Sequence, residues 1–567
     1  VRRVFLRPTA CAAFLAGLCA APCGLQAQTE DGPAPLSISG NAALLWQSYS
    51  EDDRIGAVVP PSKTGLNAFG NVIATQGHFS AGVRFESYLG AVVGFPGRFR
   101  GTGIGYRFAR WADPERGVDV TLGNFYEQFG SGILLRSYEE RALGIDNAFD
   151  GIRLVLNPVP GVQLKALTGV QRLDFDGRLI NGEGIVRALD GTVELNALRP
   201  AWDAAETRIT LGASFVSRYQ AATSIVKDTL VLAVPENVGA WSYRLDVQRG
   251  GITAGLEYAT KINDPNADNG YLYRRGEALL ANFGYTRRGL GVLVSAKTVD
   301  NMSFRSDRDL RLFDLPVNYI PAITKQHTYN LAATLYPYAT VLFGESSASA
   351  EVFYQLPKGS RLGGPFGTKV TVNYAAANGL DTLNLTGVEG AVTGYERLSW
   401  GFGPEKYVRD LNVQLERRLS DRLRAKYTYF NLEFNTLATP VTTSFKGMVY
   451  ADIHVVELQL ATREDETLRM EVQQLSTAQD KGDWATVLAE YTWSPHLFLS
   501  VLDQYNYGNA DPEARVHYLF GAVGYVDGPH RLSLGYGKRR EGIFCIGGVC
   551  RAVPASNGFE VNFTTSF

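Results

Sequence analysis

The chain has 567 residues, with 55 Lys and Arg against 57 Asp and Glu and a formal net charge of −2, and its mean hydropathy is −0.09. That balance gives no basic face for nucleic acid, and after residue 27 no run of about 18 apolar residues could form a membrane helix. The 60 Gly, 28 Tyr and 29 Phe against 3 Met favour an all-β protein, because aromatics suit half-buried pleated surfaces and Gly suits turns and barrel corners.

Residues 1–27 read as a secretory signal peptide. Arg2, Arg3 and Arg7 form a basic start, residues 10–21 an apolar, Ala-rich stretch, and Leu25-Gln26-Ala27 ends on a small residue suited to cleavage. A lipoprotein signal fits less well, since Leu18 precedes Cys19 and Pro22 precedes Cys23 where a small residue is wanted. Strand-like alternation begins over 36–49, so residues 28–567 are expected to be nearly all barrel, with no separate plug domain and no periplasmic domain ahead of it.

The first departure from alternation is the segment 123–151. After Phe129 the period of two fails, and Arg136, Glu139, Glu140, Arg141, Asp146 and Asp150 mix both signs in a short space. Charges are costly against lipid, so these residues are expected in the lumen or in a loop. In the lumen they would form a constriction that sets selectivity, as rings of charge do in channels. The plainer reading is a solvated loop or a self-neutralising network that braces the wall.

Farther along, Ile209, Leu211, Ala213 and Phe215 alternate with Arg208, Thr210, Gly212 and Ser214. The alternation becomes ambiguous between residues 300 and 367, where 304–326 and 337–349 cannot both be assigned a side. It returns with Leu411, Val413 and Leu415 against Asn412, Gln414 and Glu416, and with Leu468, Met470 and Val472 against Arg469, Glu471 and Gln473. Such strands carry one apolar and one polar face, which fits a soluble sandwich as well as a barrel with a wet lumen.

Near the C-terminus, Cys545 and Cys550 flank Gly547-Gly548 and read as a disulfide formed in an oxidising compartment. A metal site competes poorly, because two thiolates without a nearby His are too few ligands. Phe559, Val561, Phe563, Thr565 and Phe567 then share one strand face. Ten alternating residues ending on an aromatic resemble the C-terminal signal read by the outer-membrane insertion machinery. Counting back from Phe567, short turns fall at 527–529, 494–495, 463–465 and 420–421, expected on the periplasmic side. Longer connections fall around 541–557, 505–514, 476–484, 435–444 and 380–404 on the other. The expected fold is a large transmembrane antiparallel β-barrel of about 20 to 26 strands.

The segment 123–151, together with Pro321-Ala322-Ile323-Thr324-Lys325-Gln326-His327-Thr328-Tyr329 and Tyr336-Pro337-Tyr338-Ala339, resembles a family of uncharacterised outer-membrane barrels of Bacteroidota-type bacteria. The resemblance implies fold and location and transfers no catalytic residue.

No catalytic pattern survives inspection, so no enzyme, cofactor or metal is expected. The six histidines form no His-Glu-x-x-His. Phe129-Gly130-Ser131-Gly132 lacks the Gly-x-Ser-x-Gly elbow, and residues 101–105 fail the dinucleotide spacing. The stretch 264–270 is a faint calcium-loop likeness without the closing Glu, more readily a polar turn. The expected role is a porin-like channel or transporter for small solutes in the outer membrane of a Gram-negative cell. The alternative is a non-conducting scaffold or a subunit of a secretion or assembly complex. Expected partners are outer-membrane lipid, the barrel-assembly machinery during insertion, and a small solute or a protein; nucleic acid is not among them.

Overall fold

The computed structural model describes residues 34–199, 206–227, 229–311, 314–438, 445–546 and 549–567. The expected signal peptide, 1–27, lies outside the described residues. Twenty-four strands form one antiparallel sheet whose neighbours follow chain order, beginning with Ser37–Ser48 and ending with Ser556–Ser566. The first strand pairs with the last, from Asn41↔Ser566 to Gln47↔Glu560, and closes the barrel. Closure leaves no row of unpaired N–H and C=O groups, the condition for strands to stand in lipid. No helix among the described residues is long and apolar enough to cross a membrane.

The connections segregate by length. At the end that carries Phe567 most are turns of two to four residues, among them 77–78, 250–251, 462–465 and 528–529. All four short turns expected from the sequence fall at this end. At the opposite end lie long excursions such as 220–236, 262–275 and 379–405, and the long connections expected from the sequence fall there. The ambiguous stretch resolves into one excursion, 301–343, followed by the strand Gly344–Leu356 and a return turn at the Phe567 end. The hairpin of Gly542–Ile546 and Val549–Val553 belongs to the long-loop end and places Cys545 opposite Cys550. The side chains of 543–551 lie outside the described residues, so the expected disulfide does too.

The faces are sorted in the inverse of a soluble protein. Leu211, Phe283, Val472 and Phe559 are exposed on the outside. On the inner face Arg84, Asp190, Asn412 and Gln473 are all at least nine-tenths buried. An apolar outer band around a polar interior is the arrangement of a barrel whose outer surface meets lipid. We predict that Leu211→Arg, a charge on the lipid-facing side, destabilises the barrel by about 2–4 kcal/mol. Thr210→Arg, one residue away on the lumen face, should change stability by less than half of that. Urea titration of protein folded into liposomes checks both.

Candidate functional site

The lumen is occupied by two of the long connections. Segment 126–148 leaves the strand Val118–Phe125 at the long-loop end and folds inward as two short hairpins. The first pairs Gln128 with Arg136 and Phe129 with Leu135. It turns on Gly130-Ser131-Gly132, where Gly132 adopts φ +93°, a conformation that favours glycine. The second pairs Glu139 with Asp146 around a single helical turn, Arg141–Leu143, with the Glu140 carboxylate accepting from Ala142 N at 3.2 Å. The run Ile133-Leu134-Leu135 broke the alternation because it faces protein on all sides: each is 0 % exposed. It packs on inward-facing Val186, Ala188, Val216 and Ala240 of the wall.

Charged residues tie this segment to the wall. Arg84 donates from Nε to Glu86 at 2.7 Å and from Nη1 to Glu139 at 2.9 Å, and pairs with Asp146 through Nη2. Arg172 reaches Glu86 at 2.6 Å and Asp146 at 2.8 Å. Arg141 lies over the Phe69 ring at 3.8 Å and donates to Glu139 at 2.6 Å. Three guanidinium groups thus meet three carboxylates, and the Tyr126 hydroxyl donates to Asp146 at 2.9 Å. Each buried charge has an opposite partner, as burial in a low-dielectric interior requires. A second set joins Glu127 to Arg153 at 2.6 Å and to Lys165 at 2.8 Å.

Of the six candidate constriction residues, the structure brings Glu139, Arg141 and Asp146 into this network and places Arg136 and Glu140 in the same inward segment. Among the described residues Arg136 contacts no carboxylate; its guanidinium stacks on Tyr319 at 4.1 Å and Tyr138 at 4.8 Å. Asp150 is a correction. Phe149 and Arg153 face inward, so strand alternation turns Asp150 to the outer face, where it pairs with Arg107 at 3.3 Å.

The second occupant, 301–343, escaped assignment in the sequence. It crosses the lumen and carries the helix Asn330–Leu335. Against the wall, Lys297 Nζ donates to Pro321 O at 2.7 Å, Lys325 pairs with Glu351 at 2.7 Å, and His327 Nε2 meets Asp410 at 2.6 Å. Leu331 N donates to Gln473 at 3.0 Å, and Arg540 reaches Asn330 at 3.1 Å. Gly184 of the wall has no room for a Cβ, which would meet Ser306 O at 1.6 Å. The two inserts also lock together: Tyr319 N donates to Gly132 O at 2.9 Å, Arg136 N to Val317 O at 2.8 Å, and Asn147 Nδ2 to Pro316 O at 3.0 Å. A legible signal existed, because an excursion of this length with Phe304, Val317, Ile320, Leu331 and Leu335 at no strand period exceeds an ordinary hairpin loop.

Space remains beside the inserts. A cavity of about 430 Å³ lies under the Gly130–Gly132 turn, with Lys165, Asp190, Arg244, Asp246 and Glu257 in its lining. Another, of about 280 Å³, lies between Glu139, Arg141 and the wall residues Phe69, Asn562 and Thr564. The faint calcium-loop likeness is a polar turn: Asp264 is held by Arg218 and Lys261, and Asp268 by Arg305. Among the described residues no group of three or more metal-ligating side chains occurs.

We predict that Arg172→Ala, which leaves Glu86 and Asp146 to Arg84 alone, destabilises the folded barrel by about 3–5 kcal/mol. Asp150→Asn, on the outer face, should cost no more than about 1 kcal/mol. Unfolding midpoints in denaturant separate the two.

The chain belongs to a family of unknown function, DUF6029, which matches residues 7–567. No curated protein matches the sequence. Among solved structures, it is similar to the siderophore receptor PirA from Pseudomonas aeruginosa, with 12 % identity and a TM-score of 0.40 over 94 % of this chain and 80 % of that one. The P pilus usher PapC translocation pore matches with 10 % identity and a TM-score of 0.39 over 94 % and 99 %. The outer membrane protein OpdK from Pseudomonas aeruginosa matches with 12 % identity and a TM-score of 0.35 over 80 % and 98 %.

Proposed function

We propose that this chain is an outer-membrane barrel that passes small solutes through a lumen gated by its own inserts, 126–148 and 301–343. The observation that carries this reading is how the inserts are held. Neither contributes a strand to the 24-stranded ladder, and each enters and leaves the lumen at the same end. They can therefore shift without breaking closure. The wall contacts of 126–148 divide between the apolar packing of Ile133, Leu134 and Leu135 and an ionic side made of ion pairs and hydrogen bonds around Glu139, Arg141 and Asp146, and it is on the ionic side that this reading places the movement. A polar cavity already flanks the segment at the Gly130–Gly132 turn. The constriction in this reading is the pair of inserts together, with Glu139, Arg141 and Asp146 as its charged latch to the wall.

Export through a signal peptide, insertion by the assembly machinery through Phe559, Val561, Phe563 and Phe567, and residence in outer-membrane lipid belong to the same reading. So does the absence of catalysis, for which the scattered histidines and missing hydrolase motifs are the support.

A second reading has its own observation. Leu134, Leu135, Val317 and Leu331 in the inserts are 0 % exposed, a degree of packing that suits a sealed scaffold acting through its long loops. Planar bilayers distinguish the two. The wild-type barrel is expected to show small, intermittent conductance. Arg84→Gln with Arg172→Gln, or replacement of 304–340 by a short Gly-Ser linker, should raise it several-fold. A folded barrel that conducts neither with nor without its inserts would leave only the scaffold.

A further inference from the structure

The short-turn end of the barrel is divided by charge. Four consecutive hairpins turn there at 250–251, 288–289, 357–367 and 419–422. These turns, with the two residues on either side of each, carry ten Lys and Arg and one acid, Asp421. The short turns at 77–78, 114–117, 160–161, 462–465, 494–496 and 528–529 carry three Lys and Arg and seven acids over the same windows. Pairing follows the same division. Outside the basic arc, Arg116 pairs with Asp113 at 3.6 Å and Arg463 with Glu466 at 3.0 Å. Within it, Asp421 is taken by Arg418 at 2.7 Å. Among the described residues no other cation of the arc contacts a carboxylate, and Arg249, Arg287, Lys358 and Arg361 are exposed.

Part of the arc lies on the lipid-facing side. Along the strand Asn237–Arg249, Tyr243 and Leu245 are exposed on the outer face, and Arg249 shares their parity. Phe283 with Arg287, and Leu415 with Arg417, repeat the pattern. The register sets apolar and aromatic neighbours beside these cations. Arg249 pairs with Ile252, which pairs with Tyr285. Arg287 pairs with Leu290, which pairs with Tyr354. Apolar character extends into the turns themselves: Leu362, 70 % exposed, follows Arg361, and Leu419, 49 % exposed, follows Arg418. An apolar band edged by tyrosine and arginine is the order in which a barrel meets acyl chains, interface and headgroups.

We propose that this arc binds the phosphate headgroups of anionic phospholipids in the leaflet at the short-turn end. Arg249, Arg287 and Arg417 meet the phosphates at the edge of the apolar band, and Lys358 and Arg361 reach them from the longest of the four turns. The planar guanidinium fork matches two phosphate oxygens, and each cation beside a negative leaflet adds to the attraction. Leu362 and Leu419 favour lipid over a soluble polyanion, because acyl chains can receive them. The rest of the rim, with its excess of acids, repels the same headgroups, so anionic lipid gathers on one side of the barrel. The inference rests on the reading of the chain as a lipid-embedded barrel and is independent of passage through the lumen.

The test uses the full-length barrel folded into vesicles of phosphatidylcholine mixed with phosphatidylglycerol. Trace spin-labelled phosphatidylglycerol or phosphatidylcholine reports, by electron paramagnetic resonance, the lipid held at the protein surface. The wild-type barrel is expected to hold phosphatidylglycerol over phosphatidylcholine by about threefold or more at low salt, and less at high salt. Arg249→Gln, Arg287→Gln and Arg417→Gln together should cut the preference to about half or less. The same three positions changed to Lys keep the charge and should keep most of it. Lys358→Gln with Arg361→Gln lies outside the sheet, leaves the ladder intact and should also lower it. Arg116→Gln with Arg463→Gln, on the acidic part of the rim, should leave it unchanged. Equal retention of the two lipids by wild type overturns the inference, as does an undiminished preference in both sets of Gln variants of the arc. Saturable binding of polyglutamate without a preference for phosphatidylglycerol overturns it too, and assigns the arc to an acidic protein. A barrel that enters no vesicle removes the membrane reading itself, whereas one that enters and does not discriminate removes this inference alone.

Discussion

In hydrocarbon every backbone donor and acceptor needs a partner within the protein, and the pairing of Ser37–Ser48 with Ser556–Ser566 closes the ladder of 24 strands that meets that demand. Everything else follows from closure. Once the ladder is complete, the outward face is free to be apolar and the inward face is released from the hydrophobic requirement. The interior then behaves as a second solvent environment, enclosed by the wall and supplied with polar side chains from every strand. What occupies it has to be decided by packing and charge.

Here the chain fills that interior with its own connections. Two chemistries hold them. Where the wall presents Val186, Ala188, Val216 and Ala240, the insert 126–148 answers with Ile133, Leu134 and Leu135, and the contact resembles the core of a soluble domain. Where the wall presents Arg84, Glu86 and Arg172, the same insert answers with Glu139, Asp146 and Arg141. The apolar half fixes the insert against the wall, and the ionic half pairs the charges buried on its other side. The proposed gate would use both, since a purely apolar insert would seal the lumen and a purely ionic one would lack a defined closed position.

Of the stretches that carry the family resemblance, 321–329 and 336–339 lie in the insert 301–343, and 123–151 spans the insert 126–148 together with the strand ends that flank it. His327 meets Asp410, Tyr329 and Tyr336 enter the apolar cluster beneath the helix Asn330–Leu335, and the Tyr338 hydroxyl donates to Glu345 at 2.7 Å. The part of the sequence that is least like a strand is thus the part most specifically shaped to this lumen. Outward positions such as Leu211 and Val472 need only be apolar, and many sequences meet that need.

The period of two was enough to find the strands and their apolar faces, because each residue's side is set locally by the pleat. The terminal strand and the turn lengths were enough to separate the two ends, because a short turn and a long loop differ in the residues that build them. Alternation also contained the answer for Asp150, whose outward position follows from Phe149 and Arg153, but its charge drew it into the wrong group. The destination of 126–148 and 301–343 was different in kind. A charged residue in a wet lumen and one in a solvated loop leave the same mark on a sequence, since water or a counter-charge satisfies both. Only the tertiary structure brings Arg84, Glu139, Asp146 and Arg172 together from separate parts of the chain, and only there does a loop become a plug.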